Sequence, residues 1–115
     1  LVFEIPVRDT LSSHNIYINL RHSQKYRFSN IYLFVSTRAP SDAVRTDTVE
    51  IMLAQPDGKW LGKGLGDVMD YQRIYLRQVK FPYAGIYTMQ LQHAMRPDPL
   101  MHVLDAGIRV ERVKN

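Results

Sequence analysis

Apolar and polar residues alternate with a period of two along most of this chain, the period of a strand with one buried face. In "NIYINLRH" Ile16, Ile18 and Leu20 point one way while Tyr17, Asn19 and Arg21 point the other. "NIYLFVSTR" repeats the pattern with Ile31, Leu33 and Val35 against Tyr32, Phe34 and Ser36; both sets are rather apolar, so a central strand is expected. "VFEIPVR" alternates Phe3, Ile5 and Val7, and Pro6, lacking the N–H that a ladder needs, assigns this strand to an edge. In "TDTVEIMLAQ" Val49, Met52 and Leu53 also fit a helical stripe, but Thr46, Thr48, Val49 and Ile51 favour a strand, and "PDGKW" after it reads as a tight turn.

Residues 67–79 admit two readings. Val68, Tyr71, Tyr75, Leu76 and Val79 fit a helix that Asp67 could cap. The alternation of Ile74 and Leu76 with Tyr71, Arg73, Tyr75 and Arg77 favours a strand. In "FPYAGIYTMQLQHAM" Pro82 and Gly85 mark a turn, after which Tyr87, Met89 and Leu91 alternate with Thr88, Gln90 and Gln92. A tyrosine entering a late strand can pin a sandwich corner through its hydroxyl, which gives Tyr87 a structural role. The last strand, "MHVLDAGIRVERVK", sets Val103, Ile108 and Val110 inward, with Gly107 expected at a bulge or a close backbone approach. Seven or eight strands without a secure helix predict an all-β fold, an antiparallel β-sandwich of jelly-roll or immunoglobulin-like kind. Its long loops are "STRAPSDAVR", "GKGLGD" and "MRPDPL", and loops are where a sandwich usually carries its function.

Composition narrows the picture. The 115 residues are expected to form a single domain, 1–115, and their 45% hydrophobic content can fill its core. The chain contains no cysteine, which removes disulfides, zinc-thiolate sites and thiol catalysis together. A net charge of +4 could suit nucleic acid or an anionic surface, but the arginines are spread singly and never form a run, so no nucleic-acid partner is expected. No apolar run reaches the roughly 18 to 20 residues that span a bilayer. Leu1 stands where a methionine would, consistent with a processed or trimmed chain that has lost an N-terminal anchor.

The candidate chemistry is thin. His14, His22, His93 and His102 show no metal-ligand spacing, and the scattered aspartates Asp57, Asp67 and Asp70 do not form a calcium loop, so no metal or cofactor is expected. Asp47 and Glu50 fall on opposite faces of one strand and cannot converge as a glycosidase pair. Ser12, Ser13 and His14 are adjacent but lack a nucleophile elbow. The four glycines of "GKWLGKGLGD" invite a phosphate-loop reading, yet after Gly62 and Gly64 the position that a dinucleotide loop needs is Asp67, and "GKG" lacks the hydroxyl residue of a phosphate loop. The stretch reads instead as a hairpin turn at "PDGK" followed by glycines allowing positive φ or close approach beneath Trp60. No catalytic residues follow, and the chain reads as a non-enzyme. Tyr17, Tyr26, Tyr32, Trp60, Tyr71, Tyr75 and Tyr83 supply flat apolar surfaces; about half are expected in the core, and Trp60, among neighbours too small to bury it, is the one expected outside.

Taken together, "NIYINLRH", "YRFSNIYLFV", "DTVEIMLAQPDGKWLGKGLGD", "FPYAGIYTMQLQHAMR" and "LDAGIRVE" resemble the GldH family of gliding-motility lipoproteins of the Bacteroidetes. The most specific pieces are "DGKWLGKGLGD" and the ending "MR…L…DAGIRVE", and the resemblance runs through nearly the whole chain. It implies a small lipoprotein of the cell envelope, attached to a membrane only through a lipidated N-terminal cysteine that this chain does not contain, and associated with the gliding and linked secretion machinery. It transfers no catalytic residue. The signature positions it carries here are Arg21, Asn30, Asp47, Gly58, Trp60, Gly62, Gly64, Gly85, Tyr87, Arg96 and Gly107. Arg21 and Arg96 can either pair inside the fold with a carboxylate such as Asp47 or Asp98, or present a guanidinium to a partner. Trp60, Arg96 and Arg21 are therefore the candidate partner-binding residues, with envelope proteins as the expected partners and a glycan stacked on Trp60 as the alternative ligand.

Overall fold

Wherever the period-two pattern runs, the chain forms a strand. The computed structural model describes residues 1–97 and 99–114. Its elements are β1 (Val2–Val7), β2 (His14–Ser23), β3 (Asn30–Arg38), β4 (Val44–Met52), β5 (Val68–Val79), β6 (Gly85–His93) and β7 (Val103–Arg112), with no helix among the described residues. They build a β-sandwich of two antiparallel sheets, ordered β1-β6-β3-β4 and β5-β2-β7. Because β1 pairs β6 rather than β2, the order is not that of an immunoglobulin domain, where the first strand pairs the second. Pro6 lies on an edge strand, as its missing N–H requires, and β3 is central.

The alternating apolar positions meet between the sheets. Ile16, Ile18 and Leu20 of β2, Ile31, Leu33 and Val35 of β3, Ile51 of β4 and Met89 and Leu91 of β6 are all buried in one cluster. Each such side chain removed from water contributes about 1.5–3 kcal/mol. Tyr87 is buried near the start of β6, where its hydroxyl reaches back to the corner, donating to the Tyr83 carbonyl at 3.1 Å and accepting the Tyr83 N–H at 3.2 Å. That is the corner-pinning role its position predicts. Asp47 points inward with Val49 and Ile51 while Glu50 points out, so those two carboxylates do stand on opposite faces.

Three local readings change. "STRAPSDAVR" is not a long loop: Arg38 and Val44 are still paired, and only 39–43 turn, with Asp42 at φ 68° and its N–H on the Ala39 carbonyl. The strand in 67–79 forms, but its alternation breaks, since Tyr17 faces Ile74 and Ile16 faces Leu76; the extra residue leaves Ile74, Tyr75 and Leu76 all half-buried. Gly107 is neither a bulge nor a close approach. It pairs regularly with Asn19, an added Cβ would come no nearer than 4.0 Å to anything, and the irregularity of β7 lies between the partners of Arg21 and His22.

The topology has one consequence for function. β2, β4 and β6 end, and β3, β5 and β7 begin, at the same end of the sandwich. Connections 24–29, 53–67 and 94–102 therefore gather there, together with Leu1, whose amino group reaches the Leu91 carbonyl at 3.0 Å. The short turns 8–13, 39–43 and 80–84 occupy the other end.

Candidate functional site

The gathered end is built around the glycine segment. Gly58, at φ 87°, closes a turn in which the Gly58 N–H donates to the Gln55 carbonyl and the Gln55 N–H to the Lys59 carbonyl, both at 2.8 Å. The chain bridges Ala54 with Trp60 and then runs back against the start of β5, where Lys63 and Asp70 exchange two backbone hydrogen bonds of 2.9 and 2.7 Å. A Cβ on Gly62 would stand 2.6 Å from the Asp70 carbonyl oxygen, and one on Gly64 only 1.8 Å from that of Val68. The spacing of "GKG" is thus the spacing at which one backbone can lie directly on another. No phosphate cradle results; the contact fixes Asp70.

Asp70 in turn fixes Arg21. The two face each other across β2 and β5, and Arg21 Nε donates to Asp70 Oδ1 at 2.7 Å, with both side chains more than half exposed. Asp105 faces Arg21 from β7 on the other side. The Asp70 hydrogen bond first, and the charges of Asp70 and Asp105 after it, raise the guanidinium pKa above its ordinary value. Such an exposed pair adds little to stability, so its main effect is to hold the charged fork in one place. Between the two internal-pair candidates and an open fork, the structure gives Arg21 a carboxylate that sequence reasoning did not name. Asp47 is engaged elsewhere, with Arg45 at 3.0 Å and with the Tyr75 hydroxyl from the opposite sheet. Asp98 lies outside the described residues.

Trp60 is not left open by its small neighbours. It is half-buried, its ring 4.6 Å from that of His22 and tilted by 56°. His22 itself is 1% exposed, with Nδ1 3.0 Å from the Ser23 carbonyl, and its ring also meets Tyr26, which meets Phe28. The contact comes from β2, far away in sequence, and could not be read from the glycines beside Trp60. Arg96 is exposed in connection 94–102, which is tied to β3 by the Ala94 N–H on the Tyr32 carbonyl at 2.8 Å and the Tyr32 N–H on Met95 Sδ at 3.3 Å. Trp60 and Arg96 thus share the gathered end, and Arg21 lies near the end of β2 beside it.

Sequence reasoning names Tyr32 among its candidate surfaces but neither Phe34 nor Met52 beside it. Tyr32 and Phe34, on the outer face of central strand β3, are 40% and 41% exposed, and Met52, opposite Asn30 at the end of β4 and diagonal to Tyr32, is 45% exposed. Their signal was present in "NIYLFVSTR", whose two faces are both apolar. Centrality in a sheet accounts for the pairing of that strand, but only an uncovered face accounts for where Tyr32 and Phe34 point. Among the described residues no group of three or more histidines and carboxylates could hold a metal ion.

The comparisons with known proteins agree on one family. The family model described as GldH lipoprotein matches residues 1–110. A protein named "Gliding motility lipoprotein GldH homolog" from Christiangramia forsetii is 34% identical over 98% of this chain and 74% of its own length. One named "Gliding motility lipoprotein GldH" from Flavobacterium johnsoniae is 32% identical over 97% of this chain and 74% of its own length. No solved structure matches the chain. With a match of that extent carried by the same segments that build the sandwich and its glycine-held end, the chain belongs to the GldH family of gliding-motility lipoproteins.

Proposed function

We propose that residues 1–115 are the soluble, non-enzymatic domain of a lipoprotein that is lipid-anchored in the cell envelope and acts as a structural or interaction component of the gliding-motility and associated secretion machinery. The observation that carries this reading is the convergence of the two longest connections, with Trp60 and Arg96, at one end of the sandwich, beside the exposed Tyr32, Phe34 and Met52. An aromatic and methionine patch rimmed by polar groups and an exposed arginine is the composition of a protein contact surface. Its partners are then other envelope proteins. Arg21, its fork held in place by Asp70, faces outward from the other sheet, away from Tyr32 and Phe34.

The test is cross-linking and affinity purification of the full-length lipidated protein from its own cells, comparing wild type with Tyr32→Ala/Phe34→Ala and with Trp60→Ala/Arg96→Ala. Loss of one or more envelope proteins from the wild-type set, with the variants still folded and membrane-attached, is the expected result. Retention of every partner by both variants would sink the assignment of this surface.

A further inference from the structure

The outer face of the three-stranded sheet carries a groove that the protein-contact reading does not use. Strand β2 turns Asn19 and Arg21 outward; β5 sets Gln72 and Asp70 opposite them, and β7 sets Gly107 and Asp105 opposite them on the other side. With strands about 4.8 Å apart, each of these rows spans about 10 Å. The groove over them has a volume of about 450 Å³, inside the range of about 300–1,000 Å³ typical of small-ligand sites.

Gly107 explains why there is a groove at all. Its φ is not in the left-handed region and no backbone presses on it, so neither strain nor close approach demands glycine there. What its missing side chain does is leave the space beside Asn19 open. Beneath that space Asn19, which lines the groove, has its Oδ1 buried and without a hydrogen-bond donor among the described residues. A buried acceptor left in that state is unfavourable, and a turn of the Asn19 amide toward a ligand hydroxyl in the groove would satisfy it.

The surrounding groups define the class of ligand. Arg21 gives its Nε to Asp70 Oδ1, and Asp105 Oδ1 accepts the Ala106 N–H at 2.9 Å. The remaining guanidinium nitrogens, the carboxylate oxygens and the Gln72 amide stand as interleaved donors and acceptors over the two rows. An anion would meet Asp70 and Asp105, and a cation would meet Arg21. A hydroxyl both donates and accepts, and adjacent hydroxyls match the paired atoms of a carboxylate, an amide or a guanidinium fork. We infer that the groove over Asn19 and Gly107 is a saccharide-binding site, holding a neutral sugar by hydrogen bonds to Asn19, Arg21, Asp70, Gln72 and Asp105. It differs in place and in chemistry from a glycan stacked on Trp60, whose ring lies against His22, and it stands independently of the protein contacts proposed above.

The experiment is a titration of the isotope-labelled full chain, followed by amide NMR, with maltose, cellobiose and diacetylchitobiose as neutral probes and with phosphate and spermidine as charged ones. At least one disaccharide is expected to shift the backbone amides of Asn19, Arg21, Gln72 and Gly107 and the side-chain amides of Asn19 and Gln72. Gly107→Val, which fills the groove, and Asn19→Ala, which removes the amide that lines it, should each weaken that binding at least tenfold while leaving the rest of the spectrum in place. If Gly107→Val does not fold, Asn19→Ala and Gln72→Ala carry the comparison. The inference is overturned if no disaccharide moves these resonances, if the sugar moves the Trp60 indole instead, if phosphate or spermidine binds more tightly than every sugar, or if the folded variants bind as the wild type does.

Discussion

Tyr26 closes the gathered end from inside. It is 4% exposed, its hydroxyl donates to the Asn30 carbonyl at 2.7 Å, and burial pushes its pKa up to about 12. A tyrosine whose folded pKa is raised above the ordinary value of about 10 stabilises the fold fully below that value, and the contribution is lost as pH climbs through the folded pKa. Tyr75 is shifted in the same direction, by burial first and by its contact with Asp47 after it. Tyr26→Phe should therefore cost about 1–2 kcal/mol at neutral pH, for the lost bond and the orphaned carbonyl. It should also flatten the fall in stability between about pH 10 and 12, leaving the part due to Tyr75. Urea midpoints measured across that range check both; a variant as steep as wild type would mean that Tyr26 ionises freely in the fold. Sequence patterning assigned about half of the aromatics to the core but could not say which. Tyr26 is outside every alternating segment and is buried only because connection 24–29 folds it onto His22.

The glycine segment and β5 act as one element, and glycine has two distinct uses within it. Gly58 needs its φ of 87°, but an added Cβ there would touch nothing; Gly64 has room for no Cβ because the Val68 carbonyl occupies it. Gly58→Ala should cost about 1 kcal/mol for the left-handed backbone alone. Gly64→Ala must push apart two backbones and the Lys63–Asp70 bridge with them, so about 2–3 kcal/mol is expected, as for an overpacked core. Chemical denaturation of the two variants orders these costs, and an equal or reversed order would refute the backbone-on-backbone account. The turn at Gly58 and the general purpose of the other glycines were legible in the sequence, since turn chemistry is local. The partner of Gly62 and Gly64 was not, because it depends on how 61–64 folds back on β5, and neither was the pairing of Arg21 with Asp70, which depends on the register of β5 against β2. Period-two patterning says which face a residue takes but not which residue lies opposite.

Across the whole molecule, the alternation foretold the strands and their buried faces, while the strand order came from long-range pairing that no local signal contains. That order places β2, β3 and β6, the strands richest in buried residues, inside their sheets, with Ile18, Ile31 and Val35 at no more than 1% exposure. It also makes almost every connection cross from one sheet to the other, β3 to β4 being the exception. Neither sheet can then unfold without pulling on strands of the other. The glycine-held end is part of the same unit, since Trp60 packs on buried His22 and against the core cluster. Denaturation should accordingly be a single transition in which Trp60 fluorescence and far-ultraviolet circular dichroism coincide. If the end instead opens as a separate, weaker unit, the fluorescence change will come first in urea. Connection 53–67 would then be a mobile arm rather than a fixed surface. Coincident transitions mean that Trp60 is presented by a rigid frame, and a partner meets it already positioned.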